Sequence, residues 1–181
     1  MTRLVLSLAL SVGLAFPTFA REAPSAAGCP SVDTIKREIV DELKAVRAEP
    51  RYCGRKRSGS AKPLRWNQKL FKAAEKHAKE MSRNDRLSHK SRDGRKAGDR
   101  ITQAGYTWQA YGENIAEGQR TVGEVLRSWL DSPEHCSNIM EKDFDEIGVA
   151  CSVSGGGSPY WVMVLAAPLS NPAASLFSGL V

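Results

Sequence analysis

Three segments between Val32 and Trp129 carry apolar residues at steps of three and four, whereas beyond Phe144 the apolar residues recur at steps of two. Successive side chains turn by about 100° in a helix and 180° in a strand, so one kind of element cannot serve both periods. Each kind presents one apolar face that needs cover. A chain with both therefore lays helices against a sheet, which predicts an α+β class.

The first helical stripe is Val32, Ile35, Ile39, Leu43 and Val46, with Ser31 as its N-cap and Glu49-Pro50 as its stop. The second is Leu70, Ala74, His77 and Met81, capped by Asn67 and fraying into Arg83-Asn84-Asp85. In the third, Thr121-Val122-Gly123-Glu124 reads as a capping box, and the helix buries Val122, Val125, Leu126 and Trp129 before ending near Asp131. Ser132 then caps a short turn with Pro133 in first place, carrying Glu134 and His135. Ile147, Val149, Cys151 and Val153 form a half-buried strand, and Gly155 to Pro159 turns it into a partner, Tyr160 to Ala166, apolar enough to lie between layers. The segment Leu87 to Gly105 lacks a regular period and reads as a long ordered loop with a short helical piece near Asp99 to Ala104.

The ends of the chain point to export. Arg3, an apolar run from Leu4 to Phe16 and small residues at Thr18 and Ala20 make residues 1–20 a secretory signal peptide, too short to span a bilayer core of ~30 Å. No later segment is apolar enough to be a membrane anchor. The expected organisation is an N-terminal segment over residues 21–31, one domain over 32–168 and a poorly ordered tail over 169–181, secreted to the periplasm or the exterior as a monomer.

Cys29, Cys53, Cys136 and Cys151 in an exported chain predict two disulfides, with three pairings formally open. Local pairing is the economical expectation: Cys29 with Cys53, and Cys136 with Cys151. No CxxC pair indicates a zinc ribbon or a redox centre, and an even count leaves no thiol for catalysis.

A net charge of +6 favours anionic surfaces such as lipid head groups or acidic wall polymers. The excess gathers in Arg51 to Arg65 and Arg83 to Arg100, both rich in Gly, Ser and Asp, which is the composition of solvated loops. The second patch has no interleaved aromatic residues, which argues against nucleic acid as a partner.

Of three histidines, His77 falls on a buried helical stripe and reads as a hydrogen-bonded core residue. His89 and His135 belong to no apolar stripe. Glu113, in the stretch YGENIAEG, sits beside Asn114 in what reads as a glycine-flanked turn. Two imidazoles and a carboxylate on loops can converge in a cleft as metal ligands or as an acid and base pair, or can simply shape those loops. There is no HExxH and no GxSxG elbow. Asn114 reads as structural, bonding nearby backbone.

The motifs LSHKSRDGRKAGDRI, YGENIAEG, SWLDSPEHCSNIM and FDEIGVAC, in this order, with LFKAAEKHAKEM before them and YWVMVLAAP after, resemble the bacterial branch of the CAP superfamily, the cysteine-rich secretory, antigen 5 and pathogenesis-related 1 group. The resemblance runs from Val32 to Pro168. It implies an α-β-α sandwich with a central antiparallel sheet and an open cleft holding two histidines and two glutamates that take a divalent metal such as zinc. His89 and His135 match the histidines, and Glu113 matches one glutamate. The other glutamate is replaced by Ser132, three residues after Trp129, and Glu134, two residues further on, is not assigned its place because the sequence does not give its direction.

Members of this group bind sterols, fatty acids and other lipids. The first expectation is therefore a non-enzymatic binding module for a lipid-like or other small ligand, with zinc or another divalent metal as an optional addition. The second is a protein that engages an anionic envelope surface. The third is a metal-assisted hydrolase using His89, Glu113 and His135.

Overall fold

The computed structural model describes residues 28–169. The expected signal peptide, the first seven residues of the expected mature chain and the expected tail beyond Leu169 lie outside the described residues. The elements in chain order are α1 (Val32–Ala48), β1 (Arg51–Cys53), β2 (Lys56–Ser58), β3 (Arg65–Trp66), α2 (Gln68–Asn84), α3 (Ala97–Gln103), β4 (Trp108–Glu117), α4 (Val122–Asp131), α5 (Pro133–Ile139), β5 (Glu146–Val153) and β6 (Pro159–Pro168).

The caps act where the sequence puts them. Ser31 accepts from the Thr34 amide, and Asn67 accepts from the Lys69 and Leu70 amides. The Thr121 hydroxyl takes the Glu124 amide while the Glu124 carboxylate returns to the Thr121 amide. α5 begins at Pro133 as expected, although the Ser132 side chain makes no capping bond there.

The central sheet has the order β3-β5-β6-β4. β6 pairs antiparallel with both β4 and β5, and only the two-residue β3 runs parallel to its neighbour. β6 is apolar along its length because both of its faces are covered. Trp161, Met163 and Leu165 pack with Ile35, Ile39 and Leu43 of α1, Val125, Leu126 and Trp129 of α4, and Ile139 of α5. Tyr160, Val162, Val164 and Ala166 point the other way, into Leu70, Ala74, Ala78 and Met81 of α2 and Ile101 of α3. The result is the α-β-α sandwich.

Contact between α2 and the sheet is closest at Gly148. A Cβ there would stand 2.1 Å from the Phe71 amide nitrogen, so the strand must carry glycine where the first turn of α2 crosses it.

Four expectations need correction. The disulfides are long-range: Cys29 pairs with Cys151 across 122 residues, and Cys53 with Cys136 across 83. The physical reason is in the packing. The segment before α1 lies against the end of β5, where Gly28 abuts Val153, and the β1–β2 hairpin lies against α5, whose Cys136 is fully buried beneath it.

The basic stretch after α1 is not all loop, since Arg51 to Ser58 folds into that two-stranded hairpin. Helices do not all precede strands, because β4 intervenes between α3 and α4. Finally, YGENIAEG is not a turn. It is most of β4, and Gly112 is there for space, since a Cβ would come within 3.0 Å of the Phe144 ring. Gly118, with φ of 97°, is the residue that ends the strand.

Candidate functional site

β4 is a free edge of the central sheet, and alternation sends its neighbouring residues to opposite faces. Glu113 stands opposite Val164 and therefore points to the α2 and α3 side, whereas Asn114 stands opposite Met163 and points to the α5 side. One dipeptide thus reaches both helical layers. Beyond the strand edge, the loop that follows α2 brings His89 from one layer, and α5 brings His135 from the other.

Both oxygens of the Glu113 carboxylate are engaged. Oε1 lies 2.8 Å from His89 Nδ1, and Oε2 accepts from Arg100 Nη2 at 2.5 Å. The Glu113 and Arg100 side chains are buried, at 4% and 2% exposure, while the His89 side chain is 57% exposed. Burial pushes the Glu113 carboxyl up, but the His89 bond and the adjacent guanidinium outweigh it and hold the group below its ordinary value. Glu113 is therefore an anion at neutral pH. Its bond to Nδ1 orients the exposed His89 ring and leaves Nε2 outside the pair.

Arg100 was not singled out by the sequence reading, yet it organises the whole region. Besides Glu113, its guanidinium donates to the carbonyls of His89 and Arg95 and to the Ser91 hydroxyl. It therefore pins the loop that carries His89. A signal was present: Ala97, Arg100 and Ile101 share one buried face of α3, and a charged residue on such a stripe requires a buried partner.

His135 is half-buried in α5. Asn114 Nδ2 donates to the His135 carbonyl at 3.1 Å, and Asn138 Nδ2 donates in turn to Asn114 Oδ1 at 2.9 Å. Asn114 is fully buried and thus acts on backbone, as read, though from a strand. Burial, with the nearby His89, lowers the His135 pKa against a smaller upward pull from Glu134, so this ring is neutral near pH 7. At the place of the absent second glutamate, Ser132 is half-buried and serves as the backbone N-cap of α5.

The donor set does not suit a metal. Glu113 already balances the charge of a buried guanidinium, and each of its oxygens already accepts a hydrogen bond. Among the described residues, no three side chains of His, Cys, Asp or Glu converge where an ion could be held. What the arrangement offers is two imidazoles, one exposed and one half-buried, beside a buried and internally neutralised ion pair. Among the described residues no helix is long and apolar enough to cross a membrane.

Comparison with known proteins agrees with the fold. YkwD of Bacillus subtilis is 30% identical over 136 residues, which cover 75% of this chain and 52% of YkwD, so the chain spans about half the length of that relative. An outer surface protein of Borrelia burgdorferi shares the fold with a TM-score of 0.64 at 18% identity, covering 77% of this chain and 97% of that one. An extracellular protein containing an SCP domain from Bacillus anthracis gives a TM-score of 0.62 at 24% identity, covering 75% of this chain and 41% of its own. The model of the cysteine-rich secretory protein family, CAP, matches residues 40–165, which run from inside α1 to inside β6 and take in most of the sandwich and every residue of the site just described. The chain belongs to the CAP family.

Proposed function

We propose that this protein is an exported, non-enzymatic binding module, whose cleft at the β4 edge takes a lipid-like or other small ligand between His89 and His135 and needs no metal to do so. The observation that carries the reading is the saturation of Glu113. A carboxylate whose two oxygens each accept a hydrogen bond, from His89 and from buried Arg100, is committed to positioning rather than set up as a general base or a metal ligand. It can still set the orientation of His89. The two imidazoles supply polar contacts that fix a ligand's orientation.

Native mass spectrometry of the full chain, exported and purified without chelators, tests this. The expected spectrum is the mass of the chain with two disulfides plus a bound small molecule, and the adduct disappears when His89 and His135 are replaced by Ala. A single zinc adduct that vanishes in the same variant overturns the reading and restores the metal site.

A further inference from the structure

A second recess opens on the other side of the loop that bears His89. It is a pocket of about 410 Å3 between α2 and residues 86–94, and His77, Glu80, Arg86, Lys90 and Arg92 line it, whereas His89, Glu113 and His135 do not. The two ends of this pocket have opposite needs.

At the inner end is His77, 1% exposed. Its Nε2 lies 2.7 Å from the Ser88 carbonyl, which can only accept, so Nε2 carries the proton. Burial, and next the charge of Arg100, lower the His77 pKa, so Nδ1 is a bare lone pair, and no hydrogen-bond partner reaches it. The nearest charged atom is Glu80 Oε2 at 3.7 Å, too far for a hydrogen bond and itself an acceptor. Glu80 is anionic, held so against burial by the Arg92 amide and the Ser91 hydroxyl. His77 Nδ1 is thus a buried acceptor that faces a carboxylate and lacks a donor.

At the outer end the charge is reversed. Arg86, Lys90 and Arg92 are exposed, and among the described residues their side-chain nitrogens have no carboxylate partner. The neighbouring Asp93 is taken by Arg95 at 2.6 Å. Three unpaired cations around one mouth favour an anion and oppose entry of an ammonium or metal ion, so the missing donor at the inner end is a neutral hydroxyl.

We propose that this pocket binds a small hydroxylated phosphate, of the polyol or sugar phosphate class, with a hydroxyl donating into the His77 Nδ1 and Glu80 Oε2 pair and the phosphate held by Arg86, Lys90 and Arg92. The site is separate from the cleft at the β4 edge and stands or falls independently of it. A single water molecule would satisfy His77 but would leave the three cations without a role.

Titration calorimetry of the full exported chain with sn-glycerol 3-phosphate, inorganic phosphate and glycerol tests the assignment. The expected result is saturable one-to-one binding of glycerol 3-phosphate, at least tenfold tighter than inorganic phosphate, and no heat from glycerol. Arg86→Ala with Lys90→Ala, both exposed positions that leave the core untouched, weakens binding at least tenfold, while Arg55→Ala with Arg57→Ala in the distant hairpin leaves it unchanged. The His77 Nδ1 resonance moves on binding. Equal affinity for glycerol 3-phosphate and inorganic phosphate overturns the role of His77 and Glu80. Equal losses in the two double variants reduce the effect to net charge, and absence of saturable binding removes the site.

Discussion

At Glu113 a single carboxylate settles the character of the cleft, and its protonation is the measurable handle. The group titrates below its ordinary value of 4.5 in the folded protein. Its stabilising contribution is therefore fully present above about pH 4.5 and is lost as pH falls through the lower folded value. Glu113→Gln leaves the Arg100 guanidinium buried without a counter-charge, which costs about 3 kcal/mol at pH 7. Urea unfolding of both proteins at pH 7 and at pH 3 should show that difference shrinking at the acid end, because wild type loses there what the variant never had. A gap that stays constant with pH would mean that the pair contributes no linkage. The candidate residues His89, Glu113 and His135 were legible because each is a polar group that no apolar stripe explains. Arg100 and the equally buried Arg47 were not, because both sit on helical faces where sequence reading looks for apolar residues. Arg47 is there for its backbone bonds, to the carbonyls of Lys62 and Glu141 among others, which tie α1 to the far end of α5.

Among the elements, the helices and the β5–β6 hairpin were legible because burial there follows an apolar period. β4 was not. Its central residues are buried, yet they include Gly112, Glu113 and Asn114, two of them polar and satisfied by side chains from three other segments. Local composition therefore spoke for a turn, and only the register against β6 makes it a strand. The same limit applies to Gly148, which reads as one small residue in a strand but marks the crossing of α2 over β5. Gly148→Ala would force a Cβ into the Phe71 backbone, which has no flexible side-chain end to yield. The expected loss is about 3 kcal/mol or more, in the upper range for overpacking, seen as a lowered thermal midpoint. A midpoint within about 1–2 °C of wild type, roughly the shift of a neutral surface change, would show that α2 is free to slide.

Over the whole molecule, the two disulfides join parts that the sequence keeps far apart, and economy of loop closure misjudged them because tertiary packing decides which sulfurs meet. Cys53–Cys136 anchors the basic hairpin onto α5, one residue from His135. Replacing both cysteines by Ala is expected to cost about 2–5 kcal/mol in chemical denaturation, the usual range for a native disulfide. It should also disturb His135 more than His89, read from the imidazole resonances of the two residues. Equal perturbation would mean that the hairpin does not hold α5 in place.

The position of β6 has a further consequence. It is the last strand along the described chain and yet lies in the middle of the sheet, between β4 and β5, which do not touch each other as neighbours. Until residues 159–168 are made, both long strands lack their partner and both helical layers lack the surface they cover. A polypeptide emerging from the ribosome therefore cannot close this sandwich before β6 has been synthesised.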